Sequence, residues 1–212
     1  MQIIRQITDH EMVAEFLKAE VSSDRFSPQI LKYLLSNNLD KDILLNPNLE
    51  NEIENSHRLK LLKEYRGYQN NQHIFEGFPH DTKWYLATIT KEELLKVQYI
   101  NWDYWLEISD NTRLPSVVSQ NINSEKLPKD KEIDRFIKVS EIIKSGKILP
   151  KLILISTDFN SKLVVLEGHV RLTAMALVSD FLPENIKVII NKLISILFTF
   201  FIRFMKSNFF KI

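Results

Sequence analysis

The sequence predicts an α+β protein, with a helical N-terminal part packed onto a small mixed αβ core. Three observations predict it. Apolar residues recur at helical intervals through the first two thirds of the chain, often behind capping signals. From residue 131 the pattern changes to helix, strand, hairpin, strand, helix, strand. The chain has 212 residues, 44% of them hydrophobic, which is enough to bury a real core.

Thr8 and Glu11 have capping-box spacing, and Met12, Val13, Phe16 and Leu17 follow on one helical face. Ser27-Pro28 is a second start, with Ser27 as cap and proline at the first helical position. Ile30, Leu31, Leu34 and Leu35 form its stripe, and Asn46-Pro47-Asn48 breaks the chain. A charged helix is expected over 49–65, stopped by Gly67. Residues 68–82 are polar and irregular. Trp84, Leu86 and Thr88 then alternate with Tyr85, Ala87 and Ile89, as in a strand. Thr90 and Glu93 form another capping box and open a helix toward Tyr99. Residues 119–130 read as loop and set the expected boundary. The expected organisation is a mostly helical region over 1–130, a core over 131–190 and an apolar tail over 191–212.

Within the core, 131–145 reads as a helix with Ile133, Phe136, Ile137 and Ile143 on one side, ended by Ser145-Gly146. Leu149 to Ile155 is a strand, with Pro150 at its start. Asp158 to Ser161 has hairpin composition, and Leu163 to Leu166 returns as a second strand. Gly168 begins a helix toward Ser179, and Ile186 to Ile190 is a third strand.

A net charge of +1 gives no sign of whole-surface affinity for nucleic acid. The absence of cysteine removes disulfides, thiolate metal sites and thiol catalysis, and it fits a cytoplasmic protein. The first sixteen residues lack the long apolar run of a signal peptide. His10-Glu11 fails as a zinc helix because residue 14 is Ala14, and His57, His73 and His80 show no metal-ligand spacing. Residues 193–202 read LISILFTFFI, and six of the 13 phenylalanines lie between Phe198 and Phe210. That segment is a poor membrane span, because widening it takes in Asn191, Lys192 and Arg203. A core helix, a membrane-surface anchor and a tail foreign to the fold all remain open for it. The cluster Tyr99, Trp102, Tyr104 and Trp105 reads as core anchors or as base-stacking faces. Likewise His57, Arg58, Lys60, Lys63 and Arg66 read as a solvated helix face or a nucleic-acid contact.

The chemistry concentrates at VVLEGHVRLTAMAL, residues 164–177. A helix beginning at Gly168 aims free backbone N–H groups at the space above the strand end, and the helix dipole favours an anion there. Glycine lets an anion approach without a Cβ in the way. Arg171, a turn in, can fold its guanidinium over the same anion. Glu167 would sit beside bound phosphate only with a cation between them, for which Mg²⁺ is suited. His169 can donate to phosphate or move a proton. A packing role is equally open: close strand–helix contact at Gly168, an ion pair between Arg171 and Glu167, and a solvated His169.

The segments EIIKSGKILPKLILIS, TDFNSKLVV and LEGHVRLTAMA together resemble the ParB/sulfiredoxin superfamily over about residues 141–190. The phrase Glu167-Gly168-His169-Val170-Arg171-Leu172-Thr173 is similar to the Asp-Gly-Gln-Gln-Arg-Leu-Thr motif of that superfamily's nucleotide-hydrolysing restriction subunits. The resemblance implies a nucleotide-binding protein that takes a nucleoside triphosphate with Mg²⁺, and phosphoryl transfer or hydrolysis. Gly168, His169, Arg171 and Thr173 would contact the nucleotide. Glu167 and His169 would be catalytic, with Glu167 also the metal ligand. The sulfiredoxin cysteine position is occupied by His169, which excludes that reductase chemistry. Of the ParB arginines after the glycine only Arg171 remains, with Val170 and Thr173 at the other positions. The phenylalanine-rich stretch after the motif does not resemble the DNA reader that usually follows, so a centromere-partition role is not expected. Two other expectations stand beside this one: a nucleic-acid-associated protein of defence or mobile elements without its own catalysis, and a non-catalytic remnant.

Overall fold

The computed structural model describes residues 1–79, 82–156 and 162–192, the side chain of Lys192 excepted. His80, the hairpin turn expected at 158–161 and the tail from 193 onward lie outside the described residues. Strand β1, Gln2–Ile7, leads directly into helix α1, Asp9–Glu20. The Thr8 hydroxyl accepts from Glu11 N, and the Glu11 carboxylate accepts from Thr8 N, which completes the expected capping box. Helix α2, Ser27–Ser36, carries Pro28 in its first turn, but its cap position is Phe26 and no side chain caps it. The short α3, Asp42–Leu45, precedes α4, Glu52–Arg66. Asn51 caps α4 through Ile53 N and Glu54 N, and Gly67 stops it at a left-handed φ of 78°.

A 3-10 turn at His73–Phe75 leads to strand β2, Trp84–Thr90. The second capping box, Thr90 with Glu93, opens α5, Lys91–Leu94, which is a single turn rather than a helix reaching Tyr99. The chain is drawn out there because Gln98 joins the edge of the sheet. Gln98 N donates to Leu163 O at 2.8 Å, and Val165 N donates to Gln98 O at 2.9 Å. Helix α6 is Asp103–Ile108 and α7 is Pro115–Asn123. Helix α7 corrects the expected loop over 119–130. Its polar sequence hides buried Val118, Ser119 and Asn121, and Asn121 Nδ2 donates to Ile108 O at 3.0 Å. Helix α8, Lys131–Lys144, is capped by Asp130 and buries Ile133 and Phe136. Fully burying Phe136 contributes about 2–3 kcal/mol relative to leaving it exposed. Strands β3, Leu152–Ser156, and β4, Val164–Glu167, are followed by α9, His169–Leu177, and, past a 3-10 turn, by β5, Asn185–Lys192.

These strands form one five-stranded sheet in the order β1-β2-β5-β3-β4. Only β3 and β5 pair in parallel; the other three pairings are antiparallel. Every residue of β3 is buried, and its apolar run Leu152 to Ile155 is what an inner strand requires. The fold class is α+β, as expected. The sheet nevertheless runs across the boundary placed at residue 130, since β1 and β2 belong to it and β2 pairs with β5 along its length. Asn191 and Lys192, assigned to the tail from sequence, lie in β5.

Candidate functional site at the turn before α9

Strand β4 anchors the turn. Val164, Val165 and Leu166 are buried, and the chain then reverses at Gly168 with φ 107° and ψ 24°. That left-handed conformation suits glycine. A Cβ at residue 168 would stand 2.6 Å from Leu152 Cδ2 and 2.9 Å from Arg171 Nη2, so the space is closed to any side chain. No side chain caps α9. Among the hydrogen bonds of the described residues, Leu172 N reaches Gly168 O at 2.7 Å, while His169 N, Val170 N and Arg171 N find no acceptor.

Arg171 folds back over this turn and is 9% exposed. Its Nη2 pairs with the Glu167 carboxylate and lies 3.4 Å from Lys151 O, while its Nε has no hydrogen-bond partner. Lys151 is itself held by Glu15 of α1, its Nζ 2.9 Å from Oε2. The ring of His169 makes no hydrogen bond, and its Nε2 is sealed from solvent. It lies among Trp105, Tyr99 and Trp102, with ring centroids 5.1, 6.3 and 6.4 Å away. Burial, reinforced by the Arg66 and Arg171 charges, pushes its pKa down to about 3, so the imidazole is neutral at ordinary pH.

Two residues that the sequence did not single out for this site complete it. Glu20, at the end of α1, is 5% exposed, and Arg66, at the end of α4, has a side chain 12% exposed. Arg66 Nε stands 3.2 Å from Glu20 Oε1. Burial pushes the Glu20 carboxyl up to about 7, with the Glu167 charge adding to the rise and Arg66, Arg25 and Arg171 opposing it. The same burial lowers Arg66 below the usual arginine range, so desolvation outweighs the pairing for both partners. Three arginines thus act on two carboxylates around the N-terminal turn of α9.

Gly168, Arg171 and Glu167 are brought together as the spacing implied, whereas His169 and Thr173 share another face of α9, toward Tyr99. Thr173 lies two residues past Arg171, about 200° around the helix. It is fully buried, its Oγ1 2.7 Å from Tyr99 Oη and donating to His169 O at 3.0 Å, so it faces away from the turn. His169 packs against aromatic rings and is partly buried rather than fully solvated. The aromatic cluster therefore acts as core that walls one side of the site. The basic segment at 57–66 is not a uniformly solvated face, because Arg58 is buried and Arg66 nearly so. The one available signal for Arg66 was its place next to the helix-stopping Gly67.

Among the described residues, no group of three or more His, Asp or Glu could hold a metal ion. A cation here would meet the Glu167 carboxylate, already paired with Arg171, and would draw its other ligands from phosphate and water. A separate cavity of about 470 Å³ opens at the opposite end of α9, lined by Ile133, Ile137, Leu177 and Val178 among others. It does not reach the turn. Among the described residues, no helix is long and apolar enough to cross a membrane. Comparison of the chain with family models, with curated proteins and with solved structures finds no match.

Proposed function

We propose that this protein binds the phosphates of a nucleotide at the β4–α9 turn, in the manner of a ParB/sulfiredoxin-like core. The observation that carries the reading is the uncapped start of α9. Its first amide groups have no acceptor, and the Arg171 guanidinium lies directly over its left-handed glycine. Free helix amides and a guanidinium fork are matched to phosphate oxygens. Binding requires Arg171 to turn partly from Glu167 to the ligand, and Mg²⁺ arriving with the phosphates would take up the Glu167 charge. The neutral His169 ring can accept or donate one hydrogen bond without adding charge.

A packing role is the second reading. The contact of Leu152 and Arg171 with the Gly168 Cβ position favours it. Binding separates the two. The thermal unfolding midpoint is measured with ATP, CTP, GTP and pyrophosphate, each with and without Mg²⁺. At a ligand concentration a hundredfold above Kd, stabilisation of about 2.7 kcal/mol is expected. Arg171→Lys, which keeps the charge and loses the fork, should weaken binding about tenfold. If none of these ligands shifts the midpoint, the packing role stands and the binding reading falls. Release of phosphate during the same incubations reports whether hydrolysis accompanies binding.

A further inference from the structure

The buried arginines of α4 are used in opposite ways. Arg58, with a side chain 1% exposed, spends both Nη groups within the protein. Its Nη1 donates to Ile43 O at 2.8 Å and to Glu54 at 3.1 Å; its Nη2 donates to Asn48 O at 2.8 Å and Asn55 Oδ1 at 2.6 Å. It ties the α3–α4 connection to the helix. Arg66, two turns later, makes no hydrogen bond to any described residue. Its Nε meets Glu20 as an ion pair without hydrogen-bond alignment, and its guanidinium lies 4.2 Å over the Phe26 ring. Its Nε is sealed from solvent against Glu20, whereas its Nη groups make no hydrogen bond to a described residue and are not sealed, so those donors stand open to a ligand. Arg171 Nε and His169 Nε2, in the same cluster, are unspent as well.

We infer that Arg66 is a second phosphate-binding residue of this site, supplied by the helical layer, and that Glu20 competes with the ligand for its guanidinium. The inference rests on the reading of the β4–α9 turn as a phosphate site. Arg66 from α4 contacts Glu20, and the charges of Arg25 from the α1–α2 connection, Glu167 from β4 and Arg171 from α9 also act on it. With both carboxylates ionised, three guanidiniums face two anions and one positive charge is left over. Protonating Glu20 leaves two, and it releases the Arg66 Nε from its ion pair so that the whole guanidinium can turn to the ligand. Because the Glu20 carboxyl is raised to about 7, the change falls near neutrality. Acidification should therefore tighten phosphate binding.

Pyrophosphate carries the phosphate chemistry without a base and serves as the probe. Its affinity for the parent, Glu20→Gln and Arg66→Lys is measured by calorimetry one pH unit either side of about 7. The Gln variant cancels the ligand's own ionisation. The parent's affinity relative to Glu20→Gln should fall about tenfold from the acid to the alkaline condition, as the competent fraction falls. Arg66→Lys should bind about tenfold more weakly than the parent in acid. A parent-to-Gln ratio that stays constant with pH, or an Arg66→Lys affinity equal to the parent's, overturns the inference and leaves the turn itself as the site. Loss of binding in all three proteins at both pH values overturns the underlying reading too. Near-UV circular dichroism checks folding, and if Arg66→Lys does not fold, the Gln ratio alone decides.

Discussion

His169 concentrates the electrostatic character of the site in one side chain. Its imidazole lies against three aromatic rings and near two guanidiniums, and with a pKa of about 3 it stays neutral. The unfolded chain takes up a proton near the ordinary value of 6.5 and the folded chain does not. The stabilising contribution is therefore complete above 6.5 and is lost as pH falls from there toward 3. Phenylalanine keeps the ring packing and removes the proton site. The parent should lose stability relative to His169→Phe on acidification, by at most about 1.4 kcal/mol per pH unit. Denaturant unfolding at a series of pH values reads this, and a difference independent of pH would contradict it. Glu20 has the opposite sign, its contribution declining as pH rises from 4.5 to about 7, and it largely cancels in that comparison. The sequence showed a histidine beside a glycine and an arginine, but not its partial burial. The rings that pack against it come from the region around Tyr99 to Trp105, and their approach depends on packing that no local spacing encodes.

At the scale of elements, the strand–glycine–helix junction was legible because each part has a local cause. An apolar run ends in Glu167, a left-handed glycine reverses the chain, and small apolar residues continue as helix. The capping boxes at Thr8 and Thr90 and the stop at Gly67 were legible for the same reason. Gly168→Ala tests the junction. Alanine would bring a strained φ and a methyl 2.6 Å from Leu152 Cδ2, and should cost more than about 1 kcal/mol in denaturant unfolding. An alanine variant as stable as the parent would show that the turn is not held this way. Elements whose signals are tertiary escaped the sequence. Strand β1 is an edge strand, exposed over most of its length, and shows no inward–outward alternation. Helix α7 is rich in Ser, Asn and Gln, and its burial depends on hydrogen bonds such as that of Asn121 to Ile108. Helix α5 ends early because Gln98 is taken up by the sheet.

Across the whole molecule, the sheet brings the site together. Pairing of β2 with β5 and of β5 with β3 joins the first half of the chain to the last strands. Glu20 and Arg66, at the ends of α1 and α4, thereby come within electrostatic reach of Glu167 and Arg171 although more than a hundred residues separate them from Glu167 in sequence. Helix α9 has two ends that differ in character: an amino end with free amides and guanidiniums, and a carboxyl end beside a cavity of about 470 Å³. Amide chemical-shift mapping by NMR, with the full chain titrated by pyrophosphate and then by ATP, distinguishes them directly. The amides of Gly168, His169, Val170 and Arg171 are predicted to shift most, together with the side-chain Nε–H of Arg171. A response confined to the cavity-lining residues near Leu177 and Val178, or no saturable response anywhere, would contradict a phosphate site at the turn.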